Sequence, residues 1–516
     1  MKLEQGFGKP MREAKAVLSQ AAAWTPWLIL GYFAVHFLIR LALSSNLETD
    51  EAELVGQTAF ALGYGNGHPP LYNWLVAAML ALTGYWPAAV ASVKAILLAG
   101  SFLLSYDIMR RITGQPLSGL LVVCSFLLLP QIVYKSQITL THSVLVMFAV
   151  LAAMHAVVLI VQHGGWRSFA WLGLAAGIGG LAKYNFFLAL AAILIAAASL
   201  PLLRQKLLRG RLALSAVVFA ALFGPHLAWA FANWQETTSR LYKMERIGDS
   251  PLAYDLPFIG IDGLIDVFTS TVAWAGPLLA VWFAVRHFTQ REPQASAGLF
   301  SHADIFGQFF ARTTVIGFGA FALFIALGDK HAVYERYLTP ILIPLPFWLA
   351  LAWPLQGRPR APVHFARIAG GVAVLMLTAW PLWALFGREQ FAYPFQAMTE
   401  SLRQSVSGPV AVLATQNKYA ANIVLRLPGA RLWSATDRPG QVALIWHEKR
   451  ETAPSRLVEK LGKVYAATGP VLVLEHPYEN LSGARARLRG QVYARTDEEQ
   501  TAGAPVLKGT HQAKPR

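Results

Sequence analysis

Cysteine is nearly missing: the chain of 516 residues has one, Cys124. A lone thiol inside an apolar run excludes an intrachain disulfide framework and a cysteine metal site. Charge is scarce as well. Asp, Glu, Lys and Arg make up 14% of the chain, against about 25% in an ordinary soluble domain. Acidic residues are the scarcer sign, 28 against 44 basic ones, which leaves a net charge of +16. There is no P-loop, no His-Glu-x-x-His and no Gly-x-Ser-x-Gly, so an ATP-driven pump or a hydrolase of those types has no support. Gly63, Gly65 and Gly67 do not spell the dinucleotide fingerprint, and no strand precedes them. Neither an internal repeat nor the paired inverted halves of many transporters is evident.

What fills the chain instead is apolar: 55% of its residues are hydrophobic. A soluble protein of this size could not hide so much apolar surface. Runs able to cross a ~30 Å hydrocarbon core need about 17–25 residues. Eleven are expected, at 24–43, 86–108, 116–131, 143–161, 168–182, 184–203, 212–233, 264–285, 312–328, 338–356 and 368–387. The run at 69–84 opens with Pro69-Pro70 and suits an interfacial helix better. The first run follows Lys2, Lys9, Arg12 and Lys15 and lacks a small-residue cleavage site, so it is expected to remain as an anchor. Those charges put the N-terminus in the cytoplasm, and Arg110, Arg111, Arg204, Lys206, Arg209, Arg211 and Arg358 then fall on the same side. The opposite loops are poorer in basic residues, and an odd number of crossings leaves the C-terminus outside. Basic residues gathered in short loops, with no aromatic-interleaved stripe, argue against nucleic acid as a partner.

From about 388 the composition changes. Short strand-like runs (Val410–Leu413, Val442–Trp446, Val471–Leu474) alternate with helix-like stretches (Lys418–Leu425, Ser455–Tyr465), as in a small α/β domain. The last stretch, 501–516, is polar and expected to be disordered.

Candidate chemistry concentrates in the outer loops. The first reads Glu48-Thr49-Asp50-Glu51-Ala52-Glu53 and, further on, Gly63-Tyr64-Gly65-Asn66-Gly67-His68-Pro69-Pro70-Leu71-Tyr72. Asp50 has two readings. It can cap a short helix, or it can stand at the lipid–water boundary and take a proton from an incoming hydroxyl. The glycines and prolines build a turn that could carry His68 and Tyr72 over the membrane surface. The second loop holds Lys135 and His142; a histidine at a helix start is either a structural hydrogen-bonding residue or a substrate contact. Lys183, between two apolar runs, either snorkels to the interface or faces a cavity and holds a lipid phosphate. Arg336 either pairs with Glu335 or Asp329 or forks onto a phosphate. Gly173-x-x-x-Gly177 points to close helix packing.

Four of these stretches, taken in order and spacing, carry a family resemblance: Asp50-Glu51-Ala52, His68-Pro69-Pro70-Leu71-Tyr72-Asn73-Trp74-Leu75, Gly180-Leu181-Ala182-Lys183-Tyr184-Asn185 and Glu335-Arg336-Tyr337-Leu338-Thr339-Pro340. The chain resembles the bacterial membrane glycosyltransferases related to protein O-mannosyltransferases. These include the lipid A aminoarabinose transferase and the rhizobial lipopolysaccharide galacturonosyltransferases. The resemblance implies an all-α polytopic membrane protein of GT-C type, with about eleven spans and a small C-terminal α/β periplasmic domain. The parts would be a cytoplasmic N-terminus (1–23), a transmembrane core (24–387) with catalytic outer loops at 44–85, 131–142, 234–263 and 329–337, a periplasmic domain (388–500) and a tail (501–516).

The same resemblance implies a sugar donor on polyprenyl phosphate and an envelope acceptor such as lipid A or lipopolysaccharide core, in the bacterial inner membrane. It assigns Asp50 and Glu51 to catalysis, and His68, Lys183, Arg336 and Tyr337 to the donor phosphate. Tyr72, Lys135 and His142 remain as further donor or acceptor contacts. No metal ligand is assigned, and a divalent cation is left open. One departure stands out: many relatives have Leu-x-Asp where this chain has Leu140-Thr141-His142. Protein O-mannosylation is the alternative reading within the family, and a lipid or solute transporter is the rival from another class.

Overall fold

Helices dominate the computed structural model up to residue 386, and a single β-sheet lies beyond them. It describes residues 4–244, 261–289, 302–328, 330–356, 358, 360–388, 390–434, 436, 438–447, 449–462 and 464–496. Asp329, part of the expected loop 234–263 and the tail 501–516 lie outside the described residues. The chain divides into two compact units: Met1–Leu43 with Gln57–Pro381, and Ser44–Gly56 with Leu382–Arg516.

In the first unit, seven helices among the described residues are long and apolar enough to cross a membrane, or nine if each of two sharply bent pairs is one crossing. Nine of the eleven expected crossings fall on these. The other two fall on shorter helices. Trp166–Gly180 has 15 residues, against about 20 needed for a span. The 338–356 run is split into Glu335–Leu342 and Leu345–Ala352, eight residues each, with Pro344 at the break. The expected loop at 131–142 is also largely helical: Gln131–Lys135 and Ser136–Ile138 continue Pro116–Leu127 after a 77° bend.

Local chemistry sets the helix limits. Trp86–Thr113 starts with Pro87 in its first turn and ends on left-handed Gly114, with Arg110 and Arg111 facing its negative end. Leu71–Thr83 follows Pro70 and stops at Gly84, φ 63°. Thr141–Gln162 is the most enclosed crossing, with 89% of its apolar window inside the protein. It packs on Trp86–Thr113, Trp166–Gly180 and Phe186–Ser199. Small residues allow the closest approaches: a Cβ on Gly173 would lie 2.5 Å from the Ser215 carbonyl oxygen, and one on Gly177 2.7 Å from Leu222. These are the positions the Gly-x-x-x-Gly spacing marks. Asp107 accepts from Arg110 and Arg111 and meets His155 Nε2 at 3.0 Å, while Trp171 donates to His155 Nδ1. That chain of bonds fastens three helices at polar positions a membrane interior would otherwise penalise.

The second unit is a six-stranded sheet: β1 Val410–Ala414, β2 Arg431–Leu432, β3 Gln441–His447, β4 Tyr465–Ala467, β5 Leu472–Pro477 and β6 Arg485–Arg495. The order is β2-β1-β3-β6-β4, with β5 also on β6. The pairs β1–β2 and β1–β3 are parallel, and those to β6 antiparallel. The central strands are covered on both faces and are therefore continuously apolar. Val410, Val412, Ala443 and Ile445 pack under Phe395, Met398, Leu402 and Ile423, whereas Val442, Leu444 and Trp446 pack under Leu457 and Leu461.

Candidate active site

The basic and aromatic residues of the first unit come together around the start of Thr141–Gln162. The segment after Gln57 is a tied loop. Gln57 Oε1 accepts from Asn66 Nδ2 (2.8 Å) and Asn73 Nδ2 (3.0 Å), and Trp74 Nε1 donates to the Ala61 carbonyl at 2.9 Å. Asn66 Oδ1 takes the His68 amide at 3.0 Å. Gly65 and Gly67 have φ of 66° and 69°, backbone that L side chains rarely adopt. Gly63 lies flat against the Trp229 ring, and Gly67 lies against Arg240, whose Nε donates to the Asn66 carbonyl. Burial raises the Tyr64 phenol above its usual 10, and its hydroxyl donates to the Ala59 carbonyl at 2.7 Å.

The Pro69-Pro70 corner then meets the turn after Gly180. The Leu71 amide, unpaired within its own helix because it is the first residue, donates to the Leu181 carbonyl at 3.1 Å. This bond sets His68 and Tyr72 near Lys183. His68 stands edge-on to His142 with ring centroids 4.2 Å apart, and Tyr72 tilts over His142 at 5.2 Å. Lys183 Nζ donates to Ser143 Oγ at 3.3 Å and lies 5.3 Å from the Tyr337 ring centroid. The Arg336 guanidinium is 5.5 Å from that same ring and 5.2 Å from Tyr334. Six of the expected contact residues are thus brought together: His68, Tyr72, His142, Lys183, Arg336 and Tyr337. Gln131 reaches Glu335 at 3.4 Å, which ties the π-helical turn to the helix bearing Arg336.

Lys135 is not among them. It is exposed, and its ammonium lies 5.6 Å from the ring of its neighbour Tyr134. Asp50 and Glu51 belong to the second unit, on the short helix Thr49–Ala52. Asp50 does not cap it. The N-cap is Glu48, whose carboxylate accepts the Thr49 amide at 2.8 Å, while Glu51 takes the Glu48 amide at 3.1 Å. Glu51, 1% exposed, completes a capping box, so its carboxylate is engaged structurally where catalysis was expected. Asp50 is half-buried in the first turn of that helix. The segment is held by Asn422, whose side chain accepts the Leu47 amide and donates to the Leu47 carbonyl, both at 2.9 Å. Arg426 reaches Ser45 Oγ at 2.8 Å and Asn46 Oδ1 at 2.6 Å.

Sequence reasoning missed Asn422 altogether, because the contact spans 375 residues. It also missed His226, whose Nδ1 meets the Leu62 carbonyl at 2.6 Å and whose Nε2 meets Tyr184 Oη at 3.0 Å. A proton on Nδ1 and an acceptor at Nε2 satisfy both bonds. The signal was present: Pro225-His226 interrupts an apolar run. Lys94 carried one too, as a lysine inside a span; it is buried and donates to the Ile138 carbonyl at 3.2 Å. Among the described residues, no group of three His, Cys, Asp or Glu side chains could hold a metal ion.

The fold has counterparts among solved structures. The chain is similar to crystal structures of ArnT from Cupriavidus metallidurans. With undecaprenyl phosphate bound, the TM-score is 0.54 at 14% identity, covering 93% of this chain and 99% of that one. In the apo state it is 0.55 at 12% identity, covering 91% and 98%. The fold is of the GT-C type, in a chain with at least seven helices among the described residues long and apolar enough to cross a membrane. Residues 67–229 match the dolichyl-phosphate-mannose-protein mannosyltransferase family. Two relatives from Rhizobium johnstonii match over most of their length. The lipopolysaccharide core galacturonosyltransferase RgtB is 30% identical over 430 residues, 81% of this chain and 84% of the relative. RgtA, described by the same activity, is 26% identical over 470 residues, 86% and 91%. The chain belongs to the family of bacterial membrane glycosyltransferases related to the protein O-mannosyltransferases.

Proposed function

We propose that this glycosyltransferase moves a sugar, galacturonate by its relation to RgtA and RgtB, from polyprenyl phosphate to lipopolysaccharide core. The reaction takes place at the periplasmic face of the inner membrane, with the N-terminus cytoplasmic and the C-terminal unit periplasmic. One observation carries the reading: Lys183 and Arg336, from separate elements, flank the single Tyr337 ring. Two cations within 5.5 Å of one ring centroid suit a phosphate that must leave with negative charge. In the proposed step the acceptor hydroxyl oxygen bonds to the anomeric carbon. The bond from that carbon to the phosphate oxygen breaks, and the phosphate keeps the electron pair. The hydroxyl proton passes to the Asp50 carboxylate. A phosphate leaving group is already anionic and needs cations rather than an acid. One displacement with one base inverts the anomeric centre.

The test is transfer of radiolabelled galacturonate from polyprenyl phosphate to lipopolysaccharide core by the full chain in nanodiscs. Lys183→Met and Arg336→Met should each lower kcat/KM by about tenfold or more, since each removes a charge-assisted contact. Acceptor-independent label release, or unchanged transfer by both variants, would overturn the assignment.

A further inference from the structure

The chain from Lys330 to Tyr334 has neither helix nor strand of its own, so its backbone groups must find partners elsewhere. The Ile325 and Met244 carbonyls accept the amides of Lys330, His331 and Ala332. The next anchors come from the side chains of one helix. Ile261–Phe288 carries Asp262, Asp266, Ser270 and Trp274 at steps of four, a spacing that lines them along one stripe. Asp262 takes His331 Nδ1 at 2.8 Å. Asp266 accepts the Val333 amide at 3.3 Å, and Ser270 Oγ donates to the Val333 carbonyl at 3.0 Å. One turn on, Trp274 Nε1 donates to Thr339 Oγ1 at 3.2 Å. Gly263 allows the close approach: a Cβ there would lie 1.9 Å from the Lys330 carbonyl oxygen. The other face of the helix, with Leu264, Ile265, Phe268 and Val272, is exposed and apolar, so the polar stripe is not a solvated side. What it holds is the start of Glu335–Leu342. Val333 is fixed through both backbone groups and Thr339 through its hydroxyl, and Arg336 and Tyr337 lie between these two anchors.

We propose that Asp262, Asp266, Ser270 and Trp274 are positioning residues that set Arg336 and Tyr337 beside Lys183. This rests on the transferase reading of the same site. A segment pinned at both ends holds the guanidinium and the ring in place before the lipid phosphate arrives, so less order has to be gained on binding. The four side chains act through the segment, and a shift of about 1 Å in what it carries is enough to weaken the contact with the donor.

The experiment measures donor and acceptor KM separately for the full chain in nanodiscs, with hydrogen exchange on peptides covering 330–343. Asp262→Ala and Ser270→Ala should each raise donor KM by about three- to tenfold, as loss of one hydrogen bond does, and leave acceptor KM as it is. Exchange at 331–337 should quicken while Thr141–Gln162 stays protected. Asp262→Asn keeps an oxygen for the His331 ring N–H and should recover most of the loss. In an Arg336→Met chain the same alanine changes should add little further, because they act through the segment that carries Arg336. A natural donor KM or natural exchange in either variant, an equal rise in both KM values, or full additivity with Arg336→Met overturns the inference and leaves the transferase reading standing. Should Asp262→Ala fail to fold, Ser270→Ala decides alone. Should the natural chain transfer no sugar, binding of undecaprenyl phosphate decides. Affinity lowered by both Ser270→Ala and Arg336→Met supports the inference while the transferase reading falls, and any other result overturns it.

Discussion

Asn422→Ala is the most informative single change outside the cluster. The Asn422 side chain is fully buried and pairs with both backbone groups of Leu47, at 2.9 Å each, as a strand neighbour would. Alanine leaves a buried N–H and a buried C=O without these partners, at about 1–3 kcal/mol apiece. The sum, about 2–6 kcal/mol, raises the open population of the segment Ser44–Gly56 by at least about 30-fold. Asn422→Asp keeps the acceptor for the Leu47 amide and loses the donor, so it should fall between alanine and the natural residue. Hydrogen exchange read by mass spectrometry on peptides covering Ser44–Gly56 measures this directly. Exchange should accelerate there while the strands Val410–Ala414 and Gln441–His447 stay protected. If Asp50 is the base, turnover drops with it. Natural exchange across Ser44–Gly56 in Asn422→Ala would refute the claim that this side chain fixes the segment.

Asp50→Asn should keep the fold and lower turnover by about 10²–10⁴-fold, the usual worth of a general base; near-normal transfer would remove Asp50 from that role. Gly63→Ala would put a Cβ 2.2 Å from the Trp229 ring. The ring must retreat from its stack on His226, at about 1–3 kcal/mol, so the melting temperature should fall and Trp229→Leu should restore part of it. In the second unit, hydrogen bonds from Arg487 and then Arg485 hold the half-buried Glu475 carboxyl below its usual 4.5. A depressed carboxylate adds stability above that value and loses it as pH falls through the folded one. Glu475→Gln should therefore lower the melting temperature slightly at neutral pH, flatten the acid limb below pH 4.5 and meet the natural chain where the carboxyl is protonated.

Much was legible in the residues. Apolar runs and their proline and glycine ends located nine of the crossings, because a helix in lipid must satisfy its backbone internally and so declares its length. Strand and helix alternation after 388 gave the sheet domain. The six contact residues, His68, Tyr72, His142, Lys183, Arg336 and Tyr337, were each visible as polar groups at the ends of apolar runs. Two expected crossings fall on shorter helices, since hydropathy does not register a proline break such as Pro344 or a helix that stops at 15 residues.

The sequence by itself determined that this is a helical membrane protein with an α/β tail and which of its polar residues stand out. Only the tertiary structure decided which of them meet. It set Lys183 and Arg336 on one tyrosine, left Lys135 apart, made Glu48 the cap in place of Asp50, and folded the Asp50 segment with residues more than 300 positions away. The reason is physical. Span and strand signals are local, set by a few consecutive side chains. A site is a set of distances between remote elements, fixed by packing and by buried backbone groups that must find partners wherever the fold offers them.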